Sequence, residues 1–216
     1  VPTILSAVPM REISRDVRRD ESAVSAQVIG CTPEYFPINR LPIVRGRPLA
    51  ASDLRGLENV VVLAHDVAER LFPIQDPLGR AIQIGTEFYV VVGIAQDRTA
   101  AAAIGGSFSA RQYNRDVYIP LSTFRKRIGD RVITVRGGTF QNETIELNQI
   151  TAVVDDVASV DTSADIIRAL LSRYHKTLDY AVVVPKESLE QAETLRMMFN
   201  VLLLLIAGIS LVVGGI

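Results

Sequence analysis

Side chains able to act as nucleophiles, general bases or metal ligands are few in this 216-residue sequence, and their spacing suits neither catalysis nor metal binding. The single cysteine, Cys31, excludes an internal disulfide and a cage of thiolate ligands. His65 and His175 have no metal-ligand spacing to each other or to Cys31. The sequence also lacks a G-x-x-x-x-G-K-S/T phosphate loop and a nucleophile elbow. The pattern predicts a chain without a catalytic residue, metal or cofactor of its own, although a Ser-His-Asp site assembled in space stays open.

Charged side chains are nearly balanced, with 23 basic and 24 acidic residues. This balance gives no electrostatic reason to expect a nucleic-acid partner. Four arginines near the N-terminus alternate with acidic residues, which predicts a solvated, self-compensating face. They are Arg11, Arg15, Arg18 and Arg19. A denser basic cluster at Arg125–Arg127 is interpreted either as a partner contact or, preferably, as solvated turn residues.

The C-terminal run Phe199–Ile216 has 18 residues, no charge and four consecutive leucines. A helix needs about 20 apolar residues to cross a bilayer, so the run predicts the start of a transmembrane helix in preference to a buried core helix. Ala207, Ser210 and Gly214 fall on one face of that helix at i, i+3 and i+7. Small side chains allow close helix approach in lipid, so we expect this face to pack against other spans.

An apolar helical stripe precedes the membrane run. No Gly or Pro interrupts the chain from Lys186 to Ala207, so we expect one rigid helix to enter the bilayer. The stripe consists of Leu189, Ala192, Leu195 and Phe199, and residues 191–199 form the predicted lever. Because the chain starts at Val1 and ends inside the apolar run, we expect it to be a piece of a longer protein.

Turn signals and hydrophobic alternation divide the remaining sequence into strands and two helices. The predicted strands are Ile4–Ile13, Ala23–Cys31, Val60–Leu63, Ala81–Ile84, Phe88–Ile94, Asp116–Leu121, Ile150–Val157 and Asp179–Val184. One helix is predicted at Asp66–Phe72. The second is predicted to be capped by Ser163 and to lie between the last two strands in a β-α-β unit. Its apolar face comprises Ile166, Ile167, Leu170, Leu171 and Tyr174. The Ala-, Gly- and Ser-rich stretch Asp97–Asn114 is predicted to be a mobile loop.

Short segments in a particular order resemble one protein family. They are VIGCTPEYF (28–36), RGRPL (45–49), VVVLA (60–64), AERLF (68–72), DPLGR (76–80), VVGI (91–94), DVYIPL (116–121), LEQ (189–191) and the run from Phe199 that ends in IAGISLVVGGI (206–216). Together they are similar to the periplasmic core domain of MacB-type ABC transporter permeases, continuing into the second membrane helix. The resemblance covers essentially the whole chain.

The resemblance implies an α+β fold. A porter-like β-α-β subdomain, residues 1–46 and 149–185, is split in this family by an inserted β-rich subdomain, here residues 47–148. Residues 186–216 would then form a stalk helix and the start of a transmembrane span. The implied location is the bacterial inner membrane, with this domain in the periplasm.

The same resemblance implies a permease that couples cytosolic ATP hydrolysis to export or to mechanotransmission in the periplasm. Its expected partners are a second permease subunit (in a homodimer or heterodimer), a cytosolic ATPase that binds ATP and Mg²⁺, the membrane, and a membrane-fusion adaptor with an outer-membrane duct. The Asp97–Asn114 loop is the predicted adaptor contact. Two alternatives stay open: a membrane-anchored extracytoplasmic binding or sensor domain without an ATPase partner, and a membrane-anchored hydrolase.

Overall fold

A computed structural model describes residues 4–97, 113–136, 139–175, 179–184, 197–204 and 206–207. Contacts along the chain divide it into two compact units. One unit contains residues 5–102 and 110–153, and the other contains residues 1–4, 103–109 and 154–216. The first unit holds nearly all of the sheet and both hydrophobic clusters, and the second holds the longest helix among the described residues.

Among the described residues, ten strands and five α-helices follow one another between Ile4 and Tyr174. The strands are β1 (Ile4–Arg19), β2 (Ser22–Cys31), β3 (Ile43–Gly46), β4 (Val60–Leu63), β5 (Ala81–Ile84), β6 (Glu87–Ala95), β7 (Asp116–Pro120), β8 (Arg131–Arg136), β9 (Thr139–Thr144) and β10 (Gln149–Val154). The helices are α1 (Tyr35–Ile38), α2 (Ala51–Gly56), α3 (His65–Leu71), α4 (Leu121–Arg127) and α5 (Val160–Tyr174). The predicted strands over β2, β4, β5, β6 and β7 and the helix over α3 are confirmed to within one or two residues at each end.

Eight of the strands form one mixed sheet. Its order is β10-β1-β2-β7-β4-β6-β3, and β5 pairs with both β1 and β6. Six strands therefore make a closed ring of pairings: β1, β2, β7, β4, β6, β5 and back to β1. Each of these six strands is therefore paired on both sides over part of its length, although β1 and β5 pair at only two positions, Val17 with Ile84 and Arg18 with Gln83. The hairpin β8-β9 forms a separate two-stranded sheet.

Alternation along the ring strands produces two hydrophobic clusters, one on each face. On β7, Val117 and Ile119 lie in the first cluster, while Tyr118 between them lies in the second. The first cluster also receives α3 and Phe124 of α4. The second is covered by α1, whose Tyr35 and Phe36 rings contact the Tyr118 ring at centroid distances of 5.7 and 5.6 Å. At β4 and β7 both faces of the sheet are therefore buried, which explains the nearly continuous apolar runs of these two strands.

Strand β1 is longer than predicted, because it runs from Ile4 to Arg19 and not only to Ile13. Its second half is rich in charge and lacks the pattern of a strand. Residues 14–19 are nevertheless part of the strand, because they continue the antiparallel pairing with β2. The ladder supplies partners for the backbone N–H and C=O groups whatever the side chains are.

Two predictions about the second unit are wrong. Ser163 does not cap a helix, because α5 begins at Val160, and Ser163 is its buried fourth residue. The segment 179–184 alternates between exposed and half-buried side chains but is not a strand, so the predicted β-α-β unit is not closed there. Burial alternation also arises in an extended segment, and only a hydrogen-bonded ladder makes it a strand. On α5, Leu170 and Tyr174 are exposed and do not join the predicted apolar face.

The predicted subdomain boundaries do not coincide with an interruption of the sheet. β2, from residues 1–46, pairs with β7, from residues 47–148. The predicted β-rich middle also contains three helices, α2, α3 and α4, of which only α3 was predicted. The division into residues 1–46, 47–148, 149–185 and 186–216 stays a prediction about the family's domain organisation.

Candidate functional site

Most residues of the predicted lever and packing face lie outside the described part of the chain. These are Leu189, Ala192, Leu195, Ser210 and Gly214. Phe199 and Ala207 are described, and both are helical and exposed. Residues 98–112 of the predicted adaptor loop are also outside the described ranges. At the ends of that loop, the Asn114 side-chain amide donates a hydrogen bond to Asp97 Oδ1.

Residues 197–204 and 206–207 are helical and present their apolar side chains to the outside. Phe199 is 61 % exposed and Leu204 is 75 % exposed. Among the described residues, no helix is both long and apolar enough to cross a membrane.

The three residues considered first for chemistry, Cys31, His65 and His175, lie in separate environments. Cys31 is fully buried, and burial raises the pKa of its thiol well above the usual range, so it stays protonated. His65 Nε2 lies 3.2 Å from Glu69 Oε1 on the surface of α3. His175 is the C-cap residue of α5, and its Nδ1 lies 2.9 Å from Asp179 Oδ1. Within the described ranges, no group of three His, Cys, Asp or Glu side chains could hold a metal ion.

The prediction of a solvated arginine face is wrong for Arg11. This residue is only 1 % exposed, and burial lowers the pKa of its guanidinium. Nη1 donates to Asn148 Oδ1 at 3.1 Å, and Nη2 donates to the carbonyl oxygen of Asp130 at 3.5 Å. Asn148 Oδ1 also accepts the backbone N–H of Glu12 at 3.0 Å. Arg11 thus ties β1 to the residues immediately before β8 and before β10. No local sequence signal reveals this contact, because Arg11 and Asn148 are 137 residues apart.

Arg19, further along β1, is also held in place. Its guanidinium carbon lies 4.2 Å from the centroid of the Phe72 ring, a cation–π contact. Nη1 donates to the carbonyl oxygen of Leu71 at 3.0 Å, and Nη2 donates to Gln75 Oε1. Nε lies 3.5 Å from Asp20 Oδ2. Arg15 and Arg18 remain exposed, so the predicted solvated face holds for those two.

Two segments that carry the family resemblance, RGRPL (45–49) and DPLGR (76–80), meet at the junction of β3 and β6. Arg45 Nη2 lies 2.6 Å from Asp76 Oδ2. Gly46 has φ +76°, and a Cβ there would lie 2.2 Å from the carbonyl oxygen of Val92. A Cβ on Gly93 would lie equally close, 2.2 Å, to the carbonyl oxygen of Arg47. Only glycine fits at both positions, because backbone approaches backbone.

Asp53 accepts hydrogen bonds from the other polar groups of this junction. It is 4 % exposed and accepts two hydrogen bonds from Arg47, at 2.7 and 3.0 Å. Its Oδ2 also accepts the backbone N–H of Ala50 at 2.8 Å, at the start of α2. The hydrogen bonds from Arg47 lower the pKa of Asp53. We call residues 45–53 with Asp76 and Gly93 the β3–β6 junction. Its polar groups are paired with one another and offer no reactive group.

Comparison with solved structures identifies the type of domain that has this fold. The periplasmic region of MacB from Actinobacillus actinomycetemcomitans has a TM-score of 0.65 and 22% identity, over 89% of this chain and 78% of that one. The extracellular domain of the noncanonic ABC-type transporter YknZ from Gram-positive bacteria has a TM-score of 0.64 and 16% identity, over 85% and 83%. The fold is thus one found in extracytoplasmic domains of ABC-type transporters.

A family model, the MacB-like periplasmic core domain, matches residues 1–170, and the chain belongs to that family. Among curated relatives, the macrolide export ATP-binding/permease protein MacB of Hahella chejuensis is 29% identical over 216 residues, which is 100% of this chain and 30% of that protein. MacB of Rhodospirillum rubrum is 30% identical over 93% of this chain and 28% of its own length. The probable syringafactin export protein SyfD of Pseudomonas syringae pv. tomato is 29% identical over 98% and 29%. The chain therefore spans less than a third of these relatives.

Proposed function

We propose that this chain is the extracytoplasmic part of an ABC transporter permease and that it couples cytosolic ATP hydrolysis to export or to mechanical work in the periplasm. The observation that carries the proposal is the family match over residues 1–170. The relatives named above are export proteins that combine ATP binding with a permease. The sequence has no phosphate loop, so ATP and Mg²⁺ would be bound by the ATPase part of the transporter.

The C-terminal segment would deliver the motion. Exposed apolar side chains at residues 197–199, 201–204 and 206 are typical of a helix that is surrounded by lipid or by other spans. The uninterrupted sequence from Lys186 favours a stiff connection between this segment and the domain. ATP-driven movement of the second span would then tilt the domain. In this proposal the transporter lies in the inner membrane as a homodimer or heterodimer of permease subunits, with an adaptor and an outer-membrane duct as further partners.

A distance measurement tests the proposal without knowledge of the substrate. The complete transporter carries a spin label at Ile150→Cys in each subunit, where the native side chain is 59 % exposed. Cys31 is fully buried and would stay unlabelled. We expect ATP to change the distance between the labels. Inserting Gly-Gly-Ser after Thr194 should abolish this change and also export, while ATP hydrolysis continues.

The matched control is the same insertion after Thr86, in the exposed β5–β6 turn, which should leave the ATP-dependent distance change intact. An unchanged distance response in the Thr194 variant would contradict transmission through a stiff helix. Absence of any ATP response in the unmodified transporter would instead favour an anchored binding or sensor domain.

A further inference from the structure

The turn between β1 and β2 lies between two adjoining surface hollows of about 370 and 400 Å³. Both hollows are lined by Arg19 and Asp20, so they form one continuous surface, which we call the turn surface. The first hollow is bounded further by Arg18, Arg80, Gln83 and Phe88. The second is bounded further by Glu21, Pro73, Ile74 and Gln75. None of the groups in either hollow belongs to the β3–β6 junction.

Two large apolar side chains stand at the edges of the turn surface. Ile74 is 95 % exposed, and Phe88 is 63 % exposed. Val90, two residues beyond Phe88 and therefore on the same side of β6, is 43 % exposed. Single exposed apolar residues are common, but here they border hollows lined by charged groups. Apolar anchors with a polar surround are the composition of protein-binding surfaces.

The loop that presents Ile74 is held on both sides. Before it, Arg19 binds the carbonyl oxygen of Leu71, and after it the same guanidinium binds Gln75. Beyond Gln75, Asp76 pairs with Arg45 at 2.6 Å. A loop fixed in this way loses little conformational freedom when a partner covers it, so less binding free energy is lost to ordering.

Charge determines which partner fits the first hollow. Three arginines line it together with one acidic residue, Asp20. Arg80 is exposed and forms no ion pair among the described residues. Arg18 lies 3.8 Å from Asp16, but both side chains are more than half exposed, and such pairs contribute little. The first hollow therefore has positive charge available to an acidic group.

We propose that the turn surface docks an acidic segment of a partner protein. Carboxylates of that segment would lie against Arg18 and Arg80, and its apolar side chains would pack on Phe88 and Ile74. Asp20 and Glu21 line the second hollow beside Ile74. A broad anionic membrane would meet these carboxylates as well as the arginines, whereas a short acidic segment can place its carboxylates at Arg18 and Arg80 alone, which favours a protein partner over lipid. The inference goes beyond the proposed function and holds whether or not the domain transmits ATP-driven motion.

Photo-crosslinking in cells tests the contact with the complete permease. Benzoylphenylalanine replaces Phe88 in one variant and Ile74 in a second. The control variant carries the same group at Val44, which is 55 % exposed on β3. Crosslinked peptides are then sequenced by mass spectrometry. We expect the first two positions, but not Val44, to attach to one acidic segment of another protein.

Charge variants decide whether the arginines take part. Arg18→Glu with Arg80→Glu should lower the crosslinking yield about tenfold, because two attractive contacts become repulsive. Arg18→Lys with Arg80→Lys keeps the charge and should lower the yield less than about twofold. Crosslinks to a second copy of this chain or to lipid, a yield no higher than at Val44, a segment without acidic residues, or a yield unaffected by the glutamates would each overturn the proposal.

Discussion

The β3–β6 junction and the turn surface differ in where their side chains find partners. At the junction, Arg47 binds Asp53, and the backbones beside Gly46 and Gly93 approach one another closely. At the turn surface, Ile74 and Phe88 are instead 95 % and 63 % exposed. The segments that carry the family resemblance thus supply the scaffold at the junction. Ile74 and Phe88, which we propose as contacts, lie outside those segments.

The comparison also shows that charged residues of one motif differ in whether they are available to a partner. RGRPL and DPLGR together contain three arginines and an aspartate. Two of these arginines are used internally, since Arg45 pairs with Asp76 and Arg47 pairs with Asp53. Only Arg80 remains without an ion pair among the described residues. Whether an arginine of these segments is paired depends on residues that are distant in sequence, so the sequence alone does not show that Arg80 is the one available to a partner.

Of the two regions compared, the junction has the larger expected effect on stability, and it comes from filling the close approach of the two backbones. Gly93→Ala places a Cβ 2.2 Å from the carbonyl oxygen of Arg47, and a backbone atom cannot move away alone. We expect a loss of about 3 kcal/mol in the free energy of unfolding, measured by urea denaturation followed by circular dichroism.

Gly56→Ala is the matched control for this substitution. Its Cβ would meet the end of the flexible Glu58 side chain at 2.8 Å, and Gly56 lies in α2, where alanine is favoured. The change should stay within about 1 kcal/mol. Equal urea midpoints for the two variants would show that the junction is less tight than described.

An intermediate effect is expected at Asp53, and it depends on pH. The hydrogen bonds from Arg47 lower the pKa of Asp53 in the folded state. Its contribution is therefore complete above the unfolded-state pKa of about 3.9 and is lost as the pH falls through the lower folded-state pKa. Asp53→Asn should cost about 1–2 kcal/mol at neutral pH. Below the folded-state pKa, its urea midpoint should approach that of the unmodified chain.

Asp76→Asn provides the comparison for Asp53, because its carboxylate is 55% exposed and pairs with an arginine that is also half exposed. That pair should contribute less than about 1 kcal/mol. A loss at Asp53 that stayed the same at every pH would show that packing, and not the ionised carboxylate, stabilises this part of the junction.

The smallest effect on stability is expected at the turn surface. Phe88→Ala and Ile74→Ala should change the free energy of unfolding by less than about 0.5 kcal/mol, because both side chains are exposed. Phe124→Ala, at a position that is 0% exposed in the first hydrophobic cluster, should cost about 3–5 kcal/mol in the same urea experiment. A large loss at Phe88 would mean that the turn surface belongs to the scaffold.

Elements whose cause is local were predictable. The β5–β6 hairpin follows from alternation on both sides of a Gly-containing turn, and α3 follows from apolar spacing after an acidic first turn. Short helices such as α2 and α4 have too few turns for a periodic pattern to stand out. The second half of β1 has no apolar alternation and is a strand because β2 pairs with it.

The candidate contacts were less predictable than the fold. The predicted lever and packing residues rested on the apolar C-terminal sequence, and most of them lie outside the described residues. Neither Ile74 nor Phe88 stood out, because exposure depends on which face of the sheet is covered. The sequence also did not show that four similar arginines have different environments. Arg11 is buried, Arg19 stacks on Phe72, and Arg15 and Arg18 are solvated.

The sequence alone determined the family, the balance of charge, the apolar C-terminal run and most strand and turn positions. These properties depend on residue types and on neighbours a few positions away, where sterics and burial periodicity act directly. Tertiary structure alone decided the closure of six strands into a ring, the burial of Arg11 and the exposure of Ile74 and Phe88. Each depends on residues that are distant in sequence, as with Arg11 and Asn148. Such residues are brought together only when the chain folds, and local propensity carries no information about these contacts.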